Sequence, residues 1–471
     1  MTLAQDIING RMPDFEAYLN EGESLDDIDE YGFTPLIECA IARRPDVAEK
    51  LLRRNVEIEK TDVTGRTALF WAVDNEDKEM IELLVKYHAN VNSYTQGGMP
   101  ILVYPILRHR DSLKRYLLHQ GANLDFALDY VQAKLLGHRF ELRGDVDIVN
   151  AKGEFVQVDY EGFILGFTVD LLKDSLIRFV KSYATKHLKS HFSYFQRMIG
   201  AFEVAQQLLN LQYVVELNEQ HRKILTQISH QELLILPAAS RGHAMAFVRL
   251  GPYWAKIDRG ENAKKEGSVN IYRMNHPEAV TGKFIETFLM QKQPRHFFHR
   301  QINDILGLVP IEKIPLSVQI SGNCSWANIQ GIIPVAYVMQ SMLANEYVDY
   351  QQALSLYEFW MDWDKDRAIE ATIYRFSYVN EARKASLVAM LAGVLYQACD
   401  AENANDLKRA EKILPILHHR DFRYVLTSYL EHYCIKRLTK KGNNLLKILD
   451  DLGYNPNIGI NPIATGLKDK L

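Results

Sequence analysis

The chain has 471 residues, of which 47% are hydrophobic and 24% are charged, and its formal net charge is -4. This composition is that of an ordinary globular protein and excludes disordered and fibrous classes. The chain has 55 basic and 59 acidic residues. It therefore lacks the excess of positive charge that is typical of proteins that bind nucleic acid or anionic membranes without sequence or lipid specificity. We therefore expect no direct nucleic-acid partner.

The sequence contains no apolar run near the roughly 18 to 20 residues that a membrane-spanning helix needs, and its first residues lack the pattern of a secretory signal. We therefore expect a soluble protein without a membrane span that does not use the classical export route. The four cysteines, Cys39, Cys324, Cys399 and Cys434, show no CxxC spacing. This indicates neither a disulfide framework nor a zinc site, and it favours a reducing compartment.

A 33-residue period is the strongest pattern in the N-terminal third. Three motifs of a turn followed by a helix recur at this spacing: Gly32–Leu36, Gly65–Leu69 and Gly98–Leu102. The expected ends of the second helices carry residues that tolerate a left-handed conformation: Asn55, His88 and Gly121. A shorter helical pair over residues 3–19, one period earlier, is typical of a capping repeat.

This segment resembles the ankyrin-repeat family over roughly residues 1 to 125. The resemblance implies an all-α solenoid of about four units, including the cap, whose concave face binds a partner protein. Carried over position by position, that face includes Glu30, Tyr31, Phe33, Val63, Thr64, Arg66, Asp74, Asn75, Gln96 and Met99. We expect Tyr31, Phe33 and Met99 to be large apolar groups at exposed loop tips, which is typical of interface anchors. The alternative is that they pack against neighbouring turns.

The pattern changes after Arg143. Residues 145–149 and 155–159 alternate at period two around Ala151–Gly153, which predicts a β-hairpin. The spacing is mainly helical over 171–227, mixed over 233–320 and amphipathic helical over 350–452. We therefore predict three domains: an ankyrin solenoid over 1–140, an α+β domain over 141–350 and an α-helical C-terminal region over 351–471.

Cys324 lies where a strand-like segment, Ile314–Val318, is followed by a buried apolar helix, Ile329–Leu343. The first free N–H groups of a helix and the positive end of its dipole favour a thiolate over a thiol, so this position suits a nucleophile. Gln319 could offer its side-chain amide, together with the backbone N–H of Cys324, to a developing oxyanion.

His243 is the candidate general base. It heads a strand that is apolar at both parities, and Gly251–Pro252 turns the chain into a second strand. If Leu250 pairs with Tyr253, the same register makes Asp258 the diagonal neighbour of His243, about 7 to 8 Å away by Cα. This predicts a triad with Cys324 as nucleophile, His243 as base and Asp258 as the residue that orients the base.

Each member of the triad also has a structural interpretation. A cysteine on an apolar helix is often a small buried residue, a histidine on an apolar strand is often hydrogen-bonded in the core, and Asp258 before Arg259–Gly260 could cap a turn.

We predict no metal and no cofactor. Asp362–Asp366 begins like a calcium loop, but Arg367 and Ile373 replace the required Gly and Glu, which favours a solvated helix start. His296 and His299 have the one-turn spacing of many surface histidines, and no third ligand has matching spacing. No glycine-rich phosphate loop is present.

The order His243, Asp258, Gln319, Cys324 resembles the circularly permuted papain-like cysteine peptidases, a group that includes the ubiquitin-like-protein proteases and the YopJ-type effector acetyltransferases. The resemblance implies a papain-like cysteine protease-like α+β domain that acts on acyl groups. The sequence departs from the group in two ways. Four residues separate Gln319 from Cys324 where five are usual, and Ser325 replaces the glycine that commonly follows the nucleophile.

The combined architecture resembles the ankyrin-repeat effectors of Legionella. This implies a bacterial virulence protein that a type IV secretion system delivers into a host cell, with the host cytosol or nucleus as its destination. One expected function is peptide or isopeptide hydrolysis, or acyl transfer, on a host protein held by the ankyrin face. The alternative is a non-catalytic adaptor whose protease-like domain is a second interaction surface, which the shortened spacing between Gln319 and Cys324 favours.

Overall fold

The computed structural model describes residues 3–143, 145–149, 155–159, 165–212, 214, 216–240, 242–260, 263–291, 293–319, 322–344, 348–436 and 439–454. Contacts divide the chain into two compact units. The first comprises Met1–Leu136, Gly144–Asp159 and Ile373–Leu471, and the second comprises Gly137–Arg143 and Tyr160–Thr372. The predicted domains over 1–140, 141–350 and 351–471 stay a prediction.

The N-terminal part is all α, in paired helices. These are α1 (Leu3–Ile8), α2 (Phe15–Asn20), α3 (Pro35–Ala42), α4 (Pro45–Leu52), α5 (Ala68–Asp74), α6 (Lys78–Lys86), α7 (Val103–Leu107), α8 (Asp111–His119) and α9 (Leu124–Arg139). Thr34 and Thr67 cap α3 and α5 through their hydroxyls, whereas Pro100 takes the equivalent place in the third repeat. Because Pro100 offers no such cap, α7 starts late and is short. The predicted ankyrin repeats are confirmed.

The loop tips between repeats are held by one recurring polar contact. Asp29 Oδ1 accepts hydrogen bonds from the N–H groups of Tyr31 and Phe33, and Asp62 Oδ1 does the same one period later for Thr64 and Arg66. In the third repeat Thr95 Oγ1 accepts from the N–H of Met99. These side chains fix the tips in place of the missing backbone partners.

A two-stranded antiparallel hairpin follows. It pairs β1 (Asp145–Val149) with β2 (Phe155–Asp159), which confirms the predicted hairpin, and β1 lies against a helix of the C-terminal region, Glu381–Ala398. The predicted turn at Ala151–Gly153 lies outside the described residues.

The second unit begins with helices that flank a sheet. They are α10 (Leu165–Lys181), a 3-10 helix (Tyr183–His191), α11 (Phe192–Leu211) and α12 (Glu219–Ser229). The strands and short helices that follow are β3 (Leu233–Ser240), β4 (His243–Leu250), β5 (Tyr253–Ile257), α13 (Ala263–Glu266), β6 (Val269–Met274), a 3-10 turn (Pro277–Ala279), α14 (Gly282–Ile285), two π-helical turns (Glu286–Met290 and Phe297–Gln301), α15 (Ile302–Leu306) and β7 (Leu308–Ile314).

The five strands form one antiparallel sheet in the order β3-β4-β5-β6-β7. The pairing of Leu250 with Tyr253 confirms the predicted register of β4 and β5. The predicted strand at Ile314–Val318 is wrong, because β7 ends at Ile314. Pro315 follows it, and a residue without an N–H cannot extend the ladder.

Strand β4 is buried along most of its length because both faces are covered. On one face Phe247 joins an aromatic cluster with Trp254, Phe284, Phe288 and Phe298, and its ring lies 5.1 Å from that of Phe288. Two further helices, α16 (Cys324–Gln330) and α17 (Ile332–Leu343), also pack against β4. Burial of a phenylalanine contributes about 1.5 to 3 kcal/mol, so this cluster stabilises the sheet.

Helix α18 (Tyr350–Phe376) carries a buried acid. Asp364 is 4% exposed and accepts hydrogen bonds from Arg139 Nε at 2.7 Å and Ser175 Oγ at 2.6 Å. The predicted solvated helix start at Asp362–Asp366 is therefore wrong: the helix begins at Tyr350, and the buried Arg139 provides a partner that the sequence does not show nearby.

The C-terminal part is helical, as predicted. It consists of α19 (Glu381–Ala398), α20 (Ala404–Leu417), α21 (Arg423–Tyr429), a π-helical segment (Leu430–Lys436) and α22 (Lys440–Asp451). Among the described residues, no helix combines the length and the apolar character needed to cross a membrane.

Candidate functional site

Cys324 is the first residue of α16 and is half-buried. The preceding Asn323 does not cap the helix with its side chain. Instead, the Asn323 side-chain oxygen is hydrogen-bonded to Nδ1 of His138, a buried residue that stacks on Trp326. The turn that presents Cys324 is thus anchored by a histidine far away in the sequence.

His243 and Asp258 are directly hydrogen-bonded, with 2.8 Å between His243 Nε2 and Asp258 Oδ1. Asp258 is 4% exposed and follows the last residue of β5, and the N–H of Gly260 also donates to its Oδ1. A Cβ at Gly260 would lie 2.7 Å from Cε1 of the His243 ring. The pair therefore needs a residue without a side chain at this position.

The sulfur of Cys324 lies against the start of β4. The N–H of Ala244 donates to Sγ at 3.4 Å, and Sγ lies 4.0 Å from the C=O oxygen of Gly242, so the sulfur contacts the residues on both sides of His243. Since Nε2 of His243 is bound to Asp258, Nδ1 is the ring nitrogen that remains for Cys324. The structure therefore brings Cys324, His243 and Asp258 together.

The environment of the three groups favours the charged form of each. Burial raises the pKa of the Cys324 thiol, but the interaction with the His243 imidazole and the hydrogen bond from the Ala244 N–H outweigh the effect of burial, so the pKa is below its ordinary value. The hydrogen bond to Asp258 and the interaction with Cys324 raise the pKa of His243 to about 9. Burial also raises the pKa of Asp258, but the hydrogen bond from His243 outweighs the effect of burial, so the pKa of Asp258 is below its ordinary value. A thiolate and an imidazolium are favoured together.

Asn328 joins the segments that carry these side chains. It is fully buried, and its side-chain NH2 donates to the C=O of Ala244 at 2.7 Å while its side-chain oxygen accepts from the N–H of Arg259, also at 2.7 Å. It lies one helical turn after Cys324, on the same side of α16. We did not single it out from the sequence, although an amide on an apolar helix, four positions after a candidate nucleophile, is a signal for this role.

Gln319 is held by Arg259. Its N–H donates to the C=O of Arg259 at 2.8 Å, and the guanidinium of Arg259 binds both the C=O and the hydroxyl of Ser317. Gln319 is half-buried, and its side-chain oxygen is buried without a partner within the described residues. Its expected contact with an oxyanion stays a prediction.

The spacing of His296 and His299 suggested surface positions, but His299 is mostly buried and lies beside this site. Its side chain is 13% exposed, and its Nε2 is 4.0 Å from Asp258 Oδ2. No sequence pattern predicts this contact, because it joins residues on different elements. Within the described ranges, no group of three or more His, Cys, Asp or Glu side chains could hold a metal ion.

The ten candidate residues of the ankyrin face divide into two groups. Several are engaged inside the array: Asp74 pairs with Arg108 at 2.6 Å, the Asn75 side chain donates to the C=O of Ala40, and Phe33 packs edge to face on Trp71 with 5.9 Å between ring centroids. Arg66 pairs with Asp74 and Met99 is half-buried. Glu30, Tyr31, Val63, Thr64 and Gln96 are exposed.

Tyr31 lines a groove of about 320 Å³ between α1 and the loop that leads to α3. Its ring is 65% exposed, and the neighbouring Ile8 and Ile28 are more than half exposed. Acidic side chains at Glu23, Asp27, Asp29 and Glu30 line the same groove, and Arg11 is the single basic residue in the first 35 positions. The groove combines apolar contact area with negative charge.

Known proteins match this chain at two levels: several match the ankyrin repeats alone, and one solved structure matches nearly the whole chain. Residues 54–127 match the ankyrin-repeat family in three copies. Zebrafish inversin is 36% identical over 83 residues, which cover 18% of this chain and 8% of inversin, and human inversin is 39% identical over 62 residues, or 13% and 6%. The palmitoyltransferase AKR1 of Candida glabrata is 31% identical over 68 residues, or 14% and 9%. The chain thus spans less than a tenth of these relatives.

A solved structure matches nearly the whole chain. The Legionella effector AnkH is 59% identical, with a TM-score of 0.75, and the match covers 98% of this chain and 100% of that one. The chain belongs to the AnkH family. The resemblance to the Legionella ankyrin-repeat effectors is therefore confirmed, and the AnkH match includes the segments that carry the site as well as the repeats.

The role of Asn328 can be tested by Asn328→Ala. The substitution leaves the C=O of Ala244 and the N–H of Arg259 buried without their partner, and each such group costs about 1 to 3 kcal/mol. We expect a loss of about 2 to 4 kcal/mol in the free energy of unfolding of the second unit, measured by urea denaturation. Ser341→Ala on α17 is the matched control, because its buried hydroxyl bonds within its own helix. An Asn328→Ala loss no larger than that of the control would contradict this role.

Proposed function

We propose that the protein is an effector enzyme that uses Cys324 as the nucleophile of an acyl-transfer reaction on a host protein. The observation that carries the proposal is the position of His243, which is hydrogen-bonded to Asp258 through Nε2 and lies between Gly242 and Ala244, the two residues that contact the sulfur of Cys324. His243 is the general base and acid, and Asp258 orients it and stabilises its charged form. This arrangement lowers the pKa of the Cys324 thiol and so favours the thiolate, which is the reactive species of a cysteine nucleophile.

In the proposed reaction the Cys324 thiolate attacks the carbonyl carbon of a peptide or isopeptide bond. A C–S bond forms, and the tetrahedral oxyanion is stabilised by N–H donors, for which the backbone N–H of Cys324 and the Gln319 amide are the candidates. The C–N bond then breaks while His243 gives its proton to the leaving amine. Water, or the side chain of a Ser, Thr or Lys, gives a proton to His243 and attacks the thioester, which regenerates the thiolate.

We assign the second unit to the papain-like cysteine protease-like class. Three features support the assignment: a helix that begins at the cysteine, an antiparallel strand headed by the histidine, and an acid at the end of the next strand. The order of the residues along the chain is that of the permuted members of the class.

The proposed place of action is the cytosol of a host cell. Delivery into a host is supported by membership of the family of AnkH, a Legionella effector. All four cysteines lie among the described residues and none forms a disulfide bond, which suits a reducing compartment. The nucleus, the second compartment expected from the resemblance, has no such support.

The ankyrin repeats bind the host protein in this proposal. Ankyrin repeats are protein-interaction modules, and the groove beside Tyr31 offers exposed apolar side chains ringed by acids. Charge complementarity favours a partner segment that carries Lys or Arg next to an apolar side chain. Tyr31, at the centre of this surface, is the expected anchor.

The pH dependence of alkylation tests the nucleophile. Because the pKa of Cys324 is lowered while that of His243 is raised to about 9, the thiolate–imidazolium pair exists between the two values. We therefore expect the alkylation of Cys324 by iodoacetamide to have its midpoint below the ordinary thiol value of about 8.5. His243→Ala removes the cation, so the midpoint of the rate profile should move up towards that value.

The modified peptide is identified by mass spectrometry. Cys39 and Cys434 serve as internal controls, because burial raises the pKa of both thiols and should keep them unreactive. A wild-type midpoint at the ordinary thiol value, in a protein whose Cys324 reacts fully at high pH, would reject the enzyme and leave the adaptor.

Capture of host proteins tests the binding surface. Tyr31→Ala should abolish recovery of the specific partner from a host-cell extract without changing the melting temperature, because the ring is mostly exposed. Leu19→Ala, an exposed residue outside the groove, is the control and should retain the partner. Phe33→Ala should instead lower the melting temperature, because it removes the ring contact with Trp71, worth about 0.5 to 1.5 kcal/mol beyond area burial. Equal recovery by Tyr31→Ala and wild type would place the interface elsewhere.

A further inference from the structure

Asp258 has a second oxygen that its contact with His243 does not use. Oδ2 is buried and has no hydrogen-bond partner among the described atoms, and the same is true of Nε2 of His299. These two atoms are 4.0 Å apart. Buried polar atoms in proteins are almost always paired, so two unpaired atoms facing each other at this distance call for an explanation.

Lys256 determines which nitrogen of His299 carries the proton. Its Nζ lies 2.6 Å from His299 Nδ1 and 3.3 Å from Glu266 Oε2. An ammonium group can only donate, so Nδ1 must accept, and the proton of a neutral imidazole is then on Nε2. That proton faces the free oxygen of Asp258. A donor and an acceptor therefore oppose each other, and a small side-chain adjustment would close the hydrogen bond.

Several charged groups face His299. They are Lys256 on β5, Asp258 just after β5, Glu266 on α13 and Arg295 before the π-helical turn Phe297–Gln301. Burial lowers the pKa of His299, Lys256 and Arg295 act in the same direction, and Glu266 and Asp258 oppose them. The net effect keeps the imidazole neutral near neutral pH, which is the form that the contact with Asp258 requires.

Backbone pairing keeps Lys256 and Asp258 in place. Lys256 pairs with Asn270 of β6, and the N–H of Asp258 donates to the C=O of Ser268, which continues the β5–β6 ladder beyond Ile257. Lys256 itself is 7% exposed. Burying an ammonium group without a hydrogen-bond partner costs free energy. The hydrogen bonds from Lys256 to His299 and Glu266 therefore stabilise the buried side chain of Lys256.

We propose that His299, oriented by Lys256, is a positioning residue that holds Asp258 towards His243. The set of interacting groups then runs from Lys256 through His299, Asp258 and His243 to Cys324. Asp258 is held between two imidazoles, one on each oxygen, so it cannot rotate away when His243 changes its protonation state. This inference rests on the proposed function, since it assigns His299 a role in activating Cys324.

The test compares His299→Leu with His299→Gln in the full chain, with Lys256→Met as an independent variant. The readout is the rate of Cys324 alkylation by iodoacetamide as a function of pH. Without the donor, Asp258 supports the His243 imidazolium less well, so His299→Leu should move the midpoint up by about half to one pH unit and slow the reaction below the midpoint about three- to tenfold. His299→Gln can still donate to Oδ2, so its profile should superimpose on that of wild type.

Lys256→Met should shift the midpoint in the same direction as His299→Leu, because Nδ1 then loses the donor that fixes the tautomer. It also provides the test if His299→Leu does not fold. Superimposable profiles for wild type and either of these two variants would overturn the inference, as would equal losses for His299→Leu and His299→Gln accompanied by a lower melting temperature. Failure of the proposed function would look different, because wild type itself would then show an ordinary thiol midpoint.

Discussion

The side-chain amide of Asn328 makes the two hydrogen bonds on which the candidate site depends. One bond reaches the residue after His243 and the other reaches the residue after Asp258, while Asn328 itself lies one turn beyond Cys324. Three segments distant in sequence are thus fixed to a single buried group. Because an amide has one donor side and one acceptor side, it can satisfy both a C=O and an N–H, which neither a carboxylate nor an aliphatic side chain can do.

Further contacts around Asn328 restrict the conformations of the other residues of the candidate site. Gly260 lets the His243 ring and the Asp258 carboxylate approach each other, and Arg259 holds the segment of Gln319. His138 anchors Asn323 at the start of α16. The charge on His243 therefore develops in a place where its partners are already oriented, and such preorganisation is what stabilises an ion pair that is only partly exposed to water. The chemistry follows from backbone geometry and a few buried polar groups.

Local patterns in the sequence predicted a large part of this structure. The 33-residue period located the repeats, since each repeat depends mainly on its neighbours. The register of β4 and β5 followed from the short turn at Gly251–Pro252, which leaves little freedom in pairing. The strand before Cys324 was misplaced, because apolar residues suggested pairing where Pro315 prevents it.

The remaining features depend on contacts between distant segments, which periodicity does not report. Asn328 and Arg259 are far apart in sequence, as are Lys256 and His299, and their bonds exist only once the sheet and α16 are assembled. The sequence pattern predicts Phe33 as an exposed interface anchor, but in the structure its ring packs against Trp71 of the next repeat. Burial of Asp364 likewise required Arg139. Local sequence thus identified which residue types matter, and the tertiary structure decided which of them meet.

The central claim is that Cys324 and His243 form a thiolate–imidazolium pair below the ordinary thiol pKa. The most direct measurement is the ultraviolet absorbance of the thiolate, taken as the difference between the wild-type protein and Cys324→Ser across a pH titration. The account predicts a thiolate signal whose midpoint lies below the ordinary thiol pKa in wild type and moves to higher pH in His243→Ala. A wild-type signal that appears only near the ordinary thiol pKa of about 8.5 would contradict it.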